Sequence, residues 1–173
     1  MDASRPLLLL DVDGVLIPYA AAEQPAGFEQ HQLLGEQVWL APQHGAWLRP
    51  LCDRFELVWA TGWEHDANRL LAPILGLPAL PVMEFPRNAD GRFTKLPTIT
   101  RFAAGRPLVW LDDELSDAAR AWAASRAAPT LLLDADPAIG LTEQIVALIA
   151  TFMRDKELTG SFPNPHLPTP ARS

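Results

Sequence analysis

Four consecutive leucines, Leu7–Leu10, run without a break into Asp11-Val12-Asp13-Gly14-Val15. A strand with one wet face alternates apolar and polar residues. This one does not alternate, so both of its faces are buried. Such a strand belongs inside a parallel sheet covered by helices on both sides, which restricts the chain to the α/β class. Two carboxylates around one small residue then stand at the strand's carboxyl end, where open α/β sheets place their ligands. Gly14 lets the backbone turn away. Carboxylates grouped in this way favour a hard divalent cation such as Mg²⁺, bound by few carboxylates together with waters and substrate phosphate. The motif points to metal-assisted chemistry at a phosphate.

The rest of the chain repeats the alternation of buried strand and helix. Residues 15–41 are mixed, with a short strand at 37–40, and read as a flap over the site. Apolar residues at Trp47, Leu48, Leu51, Cys52 and Phe55 have helical spacing, with Pro42 in the first turn. Glu56–Ala60 reads as a second buried strand, 63–75 as a helix stopped by Gly76, and 79–83 as a third strand. Residues 85–93 form a loop in which Asn88, Asp90 and Gly91 are turn formers. Helices are predicted over 96–104 and 115–126, and strands over 107–111 and 130–133. Thr142 caps a last helix, 143–153, that turns Ile145, Val146, Leu148, Ile149 and Phe152 inward. The pattern predicts a Rossmann-like three-layer α/β sandwich: a mostly parallel central sheet, helices on both faces and a short flap after the first strand. Residues 1–155 form the one domain. Prolines recur over 156–173, a tail expected to be disordered.

Composition removes several function classes. The 173 residues carry a net charge of −7 and no run of Lys or Arg, which argues against a dedicated nucleic-acid groove. Cys52 is the only cysteine, so no intrachain disulfide or thiolate cluster forms. The apolar stretch 145–153 is about half of the ~20 residues a membrane span needs. The leucines before Asp11 are too few for a signal peptide, and a soluble, cytoplasmic protein is expected. His31, His44, His65 and His166 are too dispersed for a helix-borne metal pair. His65 and Asp66 follow a strand-to-helix turn and read equally as substrate contacts or as surface. Of the six tryptophans, Trp59 and Trp110 read as core. Trp39 and Trp63 read either as core or as pocket lining that stacks a base.

Taken in order, Asp11-Val12-Asp13-Gly14-Val15, Ala60-Thr61-Gly62, Lys95 and Trp110-Leu111-Asp112-Asp113 resemble the four motifs of the haloacid dehalogenase (HAD) superfamily over about residues 6–153. More narrowly, the run from Trp59 to Asn68, Lys95-Leu96-Pro97 and Trp110 to Glu114 look like the small HAD domains of the Swiss Army Knife RNA-repair type. The resemblance implies that Asp11 is a nucleophile forming an aspartyl-phosphate. Asp13 would be the general acid and base, with its backbone carbonyl on the metal. Thr61, Gly62 and Lys95 would bind phosphate oxygens, and Mg²⁺ would be held by Asp11, Asp13 and the pair Asp112-Asp113. Asp113 is the choice for the direct ligand and Asp112 for the place beside Lys95, an order the sequence does not fix. Asp117 reads as surface more readily than as part of the site.

Asp13 also bears on the reaction. Halide leaves without a proton, whereas an alkoxide needs one, so phosphoester hydrolysis ranks above dehalogenation. The expected activity is a Mg²⁺-dependent phosphohydrolase, with nucleotides or nucleic-acid ends among the substrates an open, minimally covered site admits. The alternative is a non-catalytic phosphate- or partner-binding domain of the same fold. Processing of nucleic-acid ends would call for a basic patch near Thr61, for which Arg69, Arg87, Arg92 and Arg101 are the candidates.

Overall fold

A computed structural model describes residues 5–87, 89, 91 and 93–159, the last seven by backbone alone. The central sheet has four parallel strands in the order β4-β1-β5-β6: β1 Leu7–Leu10, β4 Glu56–Trp59, β5 Leu108–Asp112 and β6 Thr130–Asp134. Alternate residues feed two cores. Leu8, Leu10, Leu57, Trp59, Val109 and Leu111 face the layer that holds Leu48, Leu71, Leu75, Ile149 and Phe152. Leu7, Leu9, Val58, Leu108 and Trp110 face Ile99, Ala103 and Ala119 on the other side. The four leucines of β1 are wholly buried, each worth about 1.5–3 kcal/mol of transfer free energy. The result is the three-layer α/β sandwich with helices on both faces.

The flap is an antiparallel hairpin, β2 Glu29–Leu33 and β3 Glu36–Leu40, joined by the two residues Leu34-Gly35. Both have a left-handed φ, 51° and 85°, as the tight hairpin turn matched to strand twist requires. Leu33 and Val38 pack onto the larger core and fasten the hairpin to the body.

The helices depart from the periodicity where proline intervenes. Helix α1 spans Pro42–Leu48, and Pro50 forces a tighter 3₁₀ turn over Arg49–Asp53, so the predicted single helix ends early. A π-helical turn, Ala67–Leu71, leads into the short α2, Ala72–Leu75. Pro73 has no N–H to continue the usual ladder there. Gly76 ends α2 in the left-handed conformation, as expected. The stretch 79–83 is not a strand of the sheet. It pairs with β4 through the single bridge Trp59–Val82, because Pro78 and Pro81 lack donors and the Leu80 N–H goes to the Asn68 side chain. The Asn68 amide also accepts from Trp59 Nε1 at 2.9 Å and donates to the Leu80 carbonyl at 2.7 Å, tying the π turn to the edge of the sheet.

Helix α3 spans Leu96–Ala103, and α4 spans Asp117–Ser125. The Ser116 hydroxyl caps α4 by accepting from the Ala119 N–H, so the Asp112-Asp113 pair is not spent as a helix cap. Thr142 caps α5, Glu143–Thr159, whose backbone runs past the predicted end at 153 and into the stretch expected to be disordered. Leu148 is exposed rather than inward, because the buried stripe centres on Ile149 and Phe152 and Leu148 lies on its shoulder. Residues 160–173 lie outside the described residues, as do Asn88, Asp90 and Arg92. Among the described residues no helix is long and apolar enough to cross a membrane.

Candidate active site

Strand register decides what meets at the sheet's carboxyl edge. Leu10 is level with Trp59 on one side and with Leu111 on the other, so Asp11, Ala60-Thr61 and Asp112 emerge together. The turn after β1 then winds on the Val12 carbonyl, which accepts from Val15, Leu16 and Ile17. Gly14 sits at φ 69°, and a Cβ there would overlap the Asp113 carboxylate, so only glycine lets the first and last acidic segments touch.

Lys95, at the start of α3, reaches into this edge and binds two carboxylates, those of Asp11 and of Asp112, the latter at 2.6 Å. Asp112 is fully engaged. Oδ2 also accepts from Trp110 Nε1 at 3.0 Å, and Oδ1 accepts from the Glu114 N–H at 3.0 Å. Asp11 Oδ1 accepts from the Val12 N–H at 2.8 Å. Asp113 is half-buried and accepts from the Tyr19 hydroxyl at 2.9 Å. One carboxylate oxygen each from Asp11, Asp112 and Asp113 lie within 4.8 Å of one another. Asp13 is not one of this trio. Its carboxylate opens onto the cleft and accepts from Trp63 Nε1 at 3.0 Å.

The protonation pattern follows from this crowding. Burial pushes the Asp11 carboxyl up to about 7, with Asp112 adding to the rise and the Lys95 ammonium opposing it. The same two carboxylates hold Lys95 above its usual range in spite of its burial. Desolvation raises Asp13 above the usual carboxylate range, and the Trp63 N–H pulls the other way. The hydrogen bond to Asp113 pushes the Tyr19 phenol up to about 12.

Thr61 is wholly buried, and its hydroxyl accepts from the Trp63 N–H at 3.3 Å, which shapes the turn after β4. Gly62 lines the cleft, and the Phe93 ring lies over it so closely that a Cβ would stand 3.0 Å from Cζ. The cleft encloses about 1120 Å³, and its walls include Asp11, Asp13, Lys95, Asp112, Asp113 and Glu114 on the polar side and Leu34, Trp63 and Phe93 on the apolar side. Of the arginines considered for a basic patch, Arg69 pairs with Asp66 and Arg87 lies over the Phe93 ring, and neither these nor Arg101 lines the cleft. His65 pairs with Glu84 at the exposed surface, and Asp117 lies in the first turn of α4; both are outside the cleft.

Tyr19 and Leu34 were not singled out by the sequence. The one available signal was an apolar residue in a two-residue turn before Gly35. Tyr19, the chain's only tyrosine, carried none, because its partner is 94 residues away. Trp63, read as core or pocket, lines the cleft. Trp110 is buried as expected but also spends its N–H on Asp112.

A buried aspartate at the end of the first strand, a second acid two residues on, a lysine between carboxylates and an acidic pair on the third strand of a parallel sheet define the class of HAD-fold domains. The family described as the HAD domain in Swiss Army Knife RNA repair proteins matches residues 7–146, and the chain belongs to it. None of the curated proteins compared with the chain matches it.

Proposed function

We propose that the protein is a Mg²⁺-dependent phosphomonoester hydrolase that works through an aspartyl-phosphate on Asp11. The observation that carries the reading is the Lys95 ammonium held between Asp11 and Asp112, with the Asp113 carboxylate beside them. Three carboxylates against one ammonium leave an excess of negative charge. That excess, and the all-oxygen donor set, suit a small hard cation. Asp11 and Asp113 would hold it, since both oxygens of Asp112 already serve Lys95, Trp110 and the Glu114 N–H. The bound ion would neutralise phosphate charge and so lower the repulsion that an incoming dianion meets.

The protein's own groups account for the remaining steps. Lys95 steadies Asp11 and offers positive charge to the phosphate oxygens, and the Gly62 N–H is a neutral donor at the same edge, on the turn that the buried Thr61 hydroxyl shapes. Asp11 Oδ attacks phosphorus, the ester P–O bond breaks, and Asp13 gives its proton to the departing oxygen. Desolvation favours the protonated form of Asp13 that this step needs. Asp13, now ionised, takes a proton from water. That water attacks phosphorus, the Asp11–phosphorus bond breaks, and orthophosphate leaves. The family's description, which names RNA repair proteins, supports nucleic-acid ends as a substrate class, and nucleotides offer the same phosphoester chemistry.

The test is turnover of an aryl phosphate with and without Mg²⁺, in the parent and in Asp11→Asn. The expected result is Mg²⁺-dependent hydrolysis that drops by about 10³-fold or more in the variant while its circular dichroism is unchanged. Equal activity in the two proteins would remove Asp11 as nucleophile. Phosphate binding without turnover in the parent would instead favour a non-catalytic binding domain.

A further inference from the structure

Leu34 combines three observations that packing does not explain. It holds a φ of 51°, a conformation that hairpin turns of this kind give to Asn, Asp or Gly, and that a branched apolar side chain adopts at a cost. The residue is 55% exposed, although its neighbours on the hairpin, Gln32, Glu36 and Gln37, are the polar residues expected there. It also lines the cleft that holds Asp11, Asp13 and Lys95. Strain and an exposed apolar group at one position, on the wall of a site, mark a contact made with a ligand.

The chemistry of the other walls narrows the ligand. Trp63 and Phe93 give apolar aromatic surface in the same cleft. Lys95 is the cation among the described lining residues, and two carboxylates already engage it. The other charged groups among the described lining residues are acids, Asp13, Asp113 and Glu114 included, beside the neutral Tyr19, Thr94 and Ser116, so a second phosphate there would meet acids. The volume of about 1120 Å³ admits a body much larger than a phosphate.

We infer that Leu34 is a specificity-determining residue and that the substrate carries a single phosphate joined through a sugar to a flat heteroaromatic base, as in a nucleoside monophosphate. The inference rests on the phosphohydrolase reading given above. The hairpin presents Leu34 to the base, and the apolar wall with Trp63 excludes water from it.

Three probes test it in the presence of Mg²⁺: adenosine 5′-monophosphate, ribose 5-phosphate, which lacks only the base, and a 5′-phosphorylated oligonucleotide ending in the same nucleotide. Each is assayed with the parent and with Leu34→Asn, a substitution that suits the left-handed turn. The parent is expected to prefer the nucleoside monophosphate over ribose 5-phosphate by about tenfold or more in kcat/KM. That preference should collapse in Leu34→Asn through a higher KM for the nucleotide, with a Tm no lower than the parent's. A preference unchanged in the variant would overturn the role of Leu34, as would equal losses on both small substrates. A parent that favours the oligonucleotide over the mononucleotide would overturn the substrate class. No turnover of any probe by the parent would remove the phosphohydrolase reading itself, and the inference with it.

Discussion

Asp113 shows how much of this site is settled by single side chains. It stands beside Asp11 and Asp112 and accepts from the phenol of Tyr19. Like charges at this spacing repel, and burial of two of the three weakens the screening that water would give. Asparagine at 113 keeps the hydrogen bond from Tyr19 and removes one negative charge. Asp113→Asn should therefore raise the metal-free Tm by about 3 °C, the size expected of about 1 kcal/mol in a domain of this length. The same variant should lose the rise in Tm that added Mg²⁺ gives the parent. Differential scanning calorimetry at matched ionic strength reads both. A lower metal-free Tm together with an intact Mg²⁺ effect would show that Asp113 supports the fold and not the ion.

At the scale of elements, the flap, α1 and the loop before α5 meet on His44. This residue is 2% exposed, its ring meets the Phe28 ring edge-on at 5.3 Å, and Nδ1 has no hydrogen-bond partner. Burial lowers its pKa from 6.5 to about 4, with a hydrogen bond from the ring to the Leu141 backbone carbonyl opposing. The ring is therefore neutral in the native protein at a pH where the unfolded chain has begun to take up a proton. Its contribution to stability is complete above about pH 6.5, is lost as the pH falls, and levels off below about pH 4, for a total of about 3 kcal/mol. Urea unfolding across that window should show the parent losing more stability than His44→Gln. Parallel pH dependences in the two proteins would mean that His44 is not buried neutral.

For the molecule as a whole, the fold was legible in the sequence because its strands are buried on both faces. Leu7–Leu10, Leu57–Trp59 and Leu108–Leu111 have no polar interruption, and Asp11, Thr61 and Asp112 mark where each one ends. The elements that differ are those where proline removes a donor: the 3₁₀ turn at Pro50, the π turn before Pro73, and the single bridge at Val82 between Pro81 and Met83. The candidate site was legible as a set of residues but not as a division of labour. That Asp13 turns to Trp63 and Asp113 to Tyr19, and that Thr61 buries its hydroxyl against its own turn, depends on contacts between segments far apart in the chain. No periodicity encodes such contacts.

The proposed hydrolysis has one direct chemical consequence, a phosphoryl group carried on the Asp11 side chain during turnover. An acid quench of the parent in steady-state hydrolysis of an aryl phosphate with Mg²⁺, followed by borohydride reduction and peptide mapping, converts an acyl phosphate to homoserine at its position. The prediction is homoserine at position 11, and none there without substrate. Steady turnover with Asp11 recovered unmodified, or with the phosphoryl group trapped on another residue, would contradict the account.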